Sequence, residues 1–142
     1  MSKEAMGRDV HVMQWPIFLG LFVAGGCGSV ARYGITVWGA ALSQRWHATA
    51  PFVGTLTVNI IGSFALGILF ALVSRKVISA EVKIVLATGF FGGFTTFSAF
   101  ALDTVEMSMS GKPLTAAAYV GVSVGASVLA AYLGTRLVGH TW

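Results

Sequence analysis

The stretch Gly89–Phe100, reading GFFGGFTTFSAF, sits in the middle of an apolar run long enough to cross a bilayer, and its composition suits no simple anchor helix. Five of the chain's ten phenylalanines fall within eleven residues here: Phe90, Phe91, Phe94, Phe97 and Phe100. Between them stand Gly89, Gly92 and Gly93 and the hydroxyl residues Thr95, Thr96 and Ser98. Consecutive glycines weaken a helix, and a following Thr-Thr pair restricts side-chain freedom further. Non-helical backbone at membrane depth is tolerated only where it is buried in protein or lines a watery path. The segment Gly92–Thr96 therefore predicts a helix break at a functional site.

The rest of the chain supplies the setting. Of 142 residues, 56% are hydrophobic and only 10% charged, against about 25% charged in soluble domains. The mean hydropathy is +0.81. Four apolar runs, over about 15–41, 51–74, 84–107 and 114–138, predict an all-α membrane protein with one four-span domain and a broken third helix. Residues 1–13 read as a polar tail rather than a signal peptide, because acids are interspersed with bases and the next apolar run is too long. Met13 offers an alternative start. The net charge of +4 is read as loop and end anchors, not as a nucleic-acid surface. The single cysteine, Cys27, excludes an intramolecular disulfide and reads as a small filler between helices. His11, His47 and His140 show no metal-ligand spacing.

Polar residues within the spans fall into two stripes. Thr55, Asn59 and Ser63 recur at i, i+4, i+8 in the second span, and Tyr119, Ser123 and Ser127 do so in the fourth. Asn59 can join two helices through an interhelical hydrogen bond or offer its amide donors to something passing. Arg32 is the one deep charge, read either as snorkelling to a helix end or as facing an aqueous vestibule. Asp103 and Glu106 read as an interfacial cap near the end of the third span. Gly121 and Gly125 form a GxxxG pair, and Gly54, Gly62 and Gly67 mark close helix approach. Together Thr95, Thr96, Ser98 and the two stripes make a donor-rich, acid-free centre that suits a small anion better than a cation. Phe97 and Phe100, three apart, could aim positive ring edges at such a path, or could simply pack. Four spans are few for a pore within one subunit, so a dimer or higher assembly is expected.

These residues also carry a family resemblance, across essentially all four spans. Gly25-x-x-Gly28-Ser29-x-x-Arg32-Tyr33, Gly54-Thr55-Leu56-x-Val58-Asn59-x-x-Gly62-Ser63-Phe64 and Gly89-Phe90-x-Gly92-Gly93-x-Thr95-Thr96-Phe97-Ser98-x-Phe100 resemble the motifs of the Fluc (CrcB) fluoride channels. Ala24, Ser29, Ala99 and Asp103 stand where the family more often has Gly, Ala, Thr and Glu. The resemblance implies an antiparallel, dual-topology homodimer in a bacterial plasma (inner) membrane, exporting fluoride passively through two pores. By the same resemblance, Phe97 and Phe100 line the pores, and Asn59, Thr96, Tyr119, Ser123 and Ser127 contribute polar contacts. Arg32 helps to form the vestibule, and backbone carbonyls of Gly92 and Thr95 from both subunits hold one structural Na⁺. Carbonyl oxygens of broken backbone are sound cation ligands.

Charge distribution bears on orientation. Lys3, Arg8, Arg75, Lys76, Lys83 and Arg136 fall on one side, and Arg45 and Lys112, with Arg32 near a membrane end, on the other, a bias favouring the termini inside. Two other readings compete with a channel. A small dimeric multidrug exporter needs an acid deep in its first span, where this chain has none. A non-conducting scaffold subunit would leave the polar stripes without a purpose. No nucleophile lies beside a base and no phosphate loop has a strand–helix context, so an enzyme is not expected.

Overall fold

The computed structural model describes residues 15–45 and 52–139. The N-terminal tail with Met13, and the loop carrying His47, lie outside the described residues. Among the described residues the chain is entirely helical: α1 (Trp15–Arg45), α2 (Val53–Ser74), α3 (80–94), α4 (Phe97–Met109) and α5 (Pro113–Leu137). Four helical stretches, Trp15–Ala41, Val53–Ser74, Ala80–Met109 and Pro113–Leu137, are long and apolar enough to cross a membrane. The third of them consists of α3 and α4.

Local chemistry sets the element ends. The third span starts earlier than the 84 expected from hydropathy, because the Ser79 hydroxyl caps Ala80–Ile84 by accepting from the Val82 N–H at 3.4 Å. Glu81 and Lys83 are therefore helical residues at the membrane end and not loop residues. α4 closes in a Schellman turn: the Lys112 N–H reaches the Met107 carbonyl at 3.0 Å and the Gly111 N–H reaches Ser108 at 3.2 Å. Gly111 takes φ +75 there, a conformation glycine enters freely. Pro113 then opens α5 at its first turn, where no N–H is needed.

Two parallel helix pairs build the bundle. α2 and α5 run side by side from Phe52 beside Tyr119 to Arg75 beside Val138. Their contact is backbone to backbone: a Cβ on Gly67 would stand 2.1 Å from the Ala131 carbonyl oxygen, and one on Gly134 would stand 2.1 Å from that of Phe64. Both positions need glycine because any side chain would separate the helices. α1 lies along α3 in the same sense, Gly20 facing Val85 and Gly28 facing Phe90 and Phe94. α1 and α2 cross antiparallel where Gly39 meets Gly54. Gly121 and Gly125, by contrast, have nothing within contact distance and lie on the outer surface of the subunit.

The buried core is small, with Val58, Leu69, Ala71, Phe94, Phe100, Ala116, Tyr119 and Ala130 at its centre. Most large apolar side chains, such as Phe22, Val30, Leu114 and Leu137, point outward. Lipid tails are as apolar as these side chains, so association rests on packing of small residues and on interhelical hydrogen bonds rather than on hydrophobic burial.

Candidate functional site

α3 is not a uniform α-helix. Ala80–Ile84 and Gly92–Phe94 are α-helical, but Val85–Phe91 winds as a π-helix, with the Gly92 N–H reaching back five residues to the Ala87 carbonyl. Gly92 itself is helical, at φ -63 and ψ -37. The extended residues are the two threonines, Thr95 at φ -83, ψ 159 and Thr96 at φ -151, ψ 116. Gly93 serves close packing instead, its backbone pressed against Gly25 and Ser29 of α1.

Side chains supply the hydrogen bonds that the helix gives up. Asn59 on α2 clasps Thr96 from both sides: its Oδ1 accepts from the Thr96 N–H at 2.8 Å and its Nδ2 donates to the Thr96 carbonyl at 3.0 Å. The Thr96 hydroxyl accepts from the Ala99 N–H at 3.2 Å, capping α4, and lies 3.2 Å from the Ser98 hydroxyl. The Thr95 hydroxyl turns back onto the Phe91 carbonyl at 2.9 Å. In a continuous α-helix the Thr96 N–H would serve the Gly92 carbonyl, and the Ala99 N–H would serve that of Thr95. Here Asn59 and the Thr96 hydroxyl take those donors. The carbonyls at the end of α3, those of Gly92, Gly93, Phe94 and Thr95, thereby lose their i+4 partners, and backbone oxygens of this kind could hold a cation. Arg32 competes for one of them, its guanidinium donating to the Thr95 carbonyl at 3.5 Å.

Beside this clasp lies an open groove of about 330 Å³. It brings together Asn59, Thr96, Phe97, Phe100, Ser123 and Ser127, with Ser63, Thr95 and the apolar Leu66, Val124 and Val128. Arg32, Gly92 and Tyr119 do not line it. Among the described residues no acidic side chain is in its wall. The Ser123 hydroxyl is buried and, among the described residues, makes no hydrogen bond of good geometry, although it lies close to the Tyr119 hydroxyl. The two phenylalanines differ sharply: Phe97 is 78% exposed on the subunit surface, whereas Phe100 is 9% exposed. Their ring centroids are 5.5 Å apart at 49°. Phe100 also leans on Tyr119, at 5.3 Å, and Tyr119 on Phe52, at 5.0 Å.

Tyr119 lies behind Phe100, its hydroxyl donating to the Asp103 carboxylate at 3.2 Å. Asp103 is therefore more than an interfacial cap. With Phe52, Glu106 and Lys112 it borders a second cavity of about 230 Å³. Ser63, on the same stripe as Asn59, lines the groove as its spacing suggests, whereas the pairing of Tyr119 with Asp103 has no counterpart in the sequence reading. The link from Asp103 to Tyr119 crosses two helices and has no local signature.

The architecture is thus that of a small four-span membrane protein whose third span changes course beside a hydroxyl- and phenyl-lined groove. Residues 19–135 match the family described as CrcB-like protein, Camphor Resistance (CrcB), and the chain belongs to that family. A fluoride-specific ion channel FluC of Rhizobium etli is 40% identical over 117 residues, covering 82% of this chain and 90% of the relative. The FluC of Mesorhizobium japonicum is 47% identical over 115 residues (81% and 90%), and that of a Roseiflexus species 37% identical over 117 residues (82% and 91%).

Proposed function

We propose that this protein is a fluoride-selective channel, passing the ion down its electrochemical gradient, and not an enzyme. One observation carries the reading: a groove walled by hydroxyl and amide donors, the buried Ser123 hydroxyl among them, and by two phenyl rings, with no acid among the described residues that line it. Its relatives named as fluoride-specific ion channels support the same ion.

The chemistry follows from the ion. Fluoride is small and strongly hydrated, so a path must replace several water hydrogen bonds at once. Ser123, Ser127, Ser63 and the remaining N–H of Asn59 are donors that can do so without a fixed positive charge that would trap the ion. Phenyl edges carry partial positive charge, so Phe97 and Phe100 can stabilise an anion weakly enough to let it leave. Chloride, larger and less strongly hydrated, gains less from the donors and meets a narrower fit. Arg32, next to the clasp, raises the local anion potential.

The assembly proposed is an antiparallel homodimer of dual topology in the inner membrane, with two pores. Phe97 supports it, because a ring 78% exposed on one subunit can complete a path only against a second surface. Gly121 and Gly125, with nothing against them, offer a smooth outer face of the kind helices use to associate. The freed carbonyls of Gly92 and Thr95 suit one structural Na⁺ shared between two copies, which would neutralise the converging carbonyl dipoles and tie the two third spans together. The multidrug-exporter and scaffold readings gain no support from the groove.

The test is efflux from liposomes holding the purified protein, with fluoride and chloride in parallel. Rapid fluoride efflux with negligible chloride efflux is expected. No efflux of either ion from inserted, dimeric protein would sink the reading.

A further inference from the structure

The two ends of the bundle differ in charge, and the difference points to a binding surface. Arg75 and Lys76 follow α2, Lys83 lies in the first turns of α3, and Arg136 lies in the last turn of α5. The fold brings these three elements to one end: the Arg75 guanidinium donates to the Val138 carbonyl at 2.5 Å, bracing α5 against the end of α2. All four basic residues are exposed, and Glu81 is the one acid among the described residues there. Among the described residues none of the four meets a carboxylate within ion-pair distance; Arg136 lies over the Tyr132 ring at 5.6 Å. Lys76 takes φ 58 in the turn that follows α2. At the opposite end Lys112 is outnumbered by Asp103 and Glu106, and even with Arg45, the last residue of α1, that end comes only to neutrality.

Four like charges at the limit of a lipid-embedded bundle repel one another unless an anion sits among them. Trp15, 74% exposed at the start of α1, marks the same end as a headgroup-level surface, because α1 runs parallel to α3. We infer that the Arg75, Lys76, Lys83 and Arg136 end is a binding surface for anionic phospholipid headgroups. Juxtamembrane lysines and arginines gain from anionic lipid through phosphate contacts and the surface potential, and salt screens the gain. The inference is independent of which ion the groove passes. In an antiparallel pair, each leaflet would meet one such end.

The experiment compares thermal unfolding of the full chain in phosphatidylcholine vesicles and in vesicles with about one-third phosphatidylglycerol. The unfolding temperature is expected to rise by several degrees with the anionic lipid, and the rise to shrink as salt is added. Lys76→Asn, Lys83→Gln and Arg136→Gln, made singly and together, should lose the rise in steps while keeping the unfolding temperature in pure phosphatidylcholine. Lys112→Gln, at the other end, should keep it. Arg75 is left intact because it braces two helices. An equal unfolding temperature in both lipids would overturn the proposal, as would a triple variant that keeps the whole rise. Inorganic phosphate reproducing the rise in phosphatidylcholine would also overturn it, by assigning the surface to a soluble anion. Should the triple variant fail to fold, the single variants at Lys76 and Lys83, both exposed and without an ion-pair partner among the described residues, decide the matter.

Discussion

Phe97 and Phe100 are three residues apart in the sequence yet occupy opposite environments, one on the subunit surface and one in its core. Their substitutions should therefore separate. Phe97→Ile removes a ring that packs on little within the subunit, so stability should hold while fluoride flux falls by about tenfold or more, equivalent to about 1.4 kcal/mol on the barrier. Phe100→Ile should cut flux and also lose its contacts with Phe97 and Tyr119, about 1 kcal/mol of stability. Flux assays paired with thermal unfolding distinguish the two; wild-type flux in a folded Phe97→Ile protein would show that the ring only packs. Ser123 offers a cleaner contrast. Its buried hydroxyl makes no hydrogen bond of good geometry among the described residues, so Ser123→Ala should leave stability unchanged or raise it by about 1 kcal/mol. Flux should nevertheless fall about tenfold if the hydroxyl serves the ion. Full flux in the alanine variant would remove Ser123 from the path.

At the scale of the element, the course of the third span depends on one side chain of another helix. Asn59 holds both backbone groups of Thr96, 37 residues away, in hydrogen bonds of 2.8 and 3.0 Å. Asn59→Ala leaves an N–H and a carbonyl unpaired at membrane depth, at a cost of about 1–3 kcal/mol each. Thermal unfolding in detergent should fall accordingly, whereas an unchanged midpoint would mean that Thr96 can find partners elsewhere. The sequence singles out this region through its glycines and threonines, and the third span bends there, but the roles within it are divided differently. Thr95 and Thr96 carry the extended backbone, while Gly93 and Gly28 let α1 and α3 touch. Sequence arithmetic could not make that division. A glycine chosen for conformational freedom and one chosen for close approach look the same until the neighbouring helix is in view.

For the whole molecule, the decisive expectation concerns Na⁺. In the proposed dimer, carbonyls of Gly92 and Thr95 from two copies would converge and repel without a cation between them, so on that reading prolonged replacement of Na⁺ by a large organic cation should shift the protein from dimer to monomer in chromatography. A dimer indifferent to Na⁺ after long exchange would remove the carbonyl cage from the reading. What the sequence by itself determined is the membrane class, the four spans, the two polar stripes and the family motifs. Those follow from hydropathy, helical periodicity and residue identity, which are local quantities. Only the tertiary structure decided that Asn59 braces Thr96, that Tyr119 meets Asp103 behind Phe100, and that Arg75 gathers a basic end. It alone also settled that α2 lies parallel to α5 through Gly67 and Gly134. Each of these joins residues far apart in the chain, and which donors meet which acceptors is set by helix pairing that no single segment encodes.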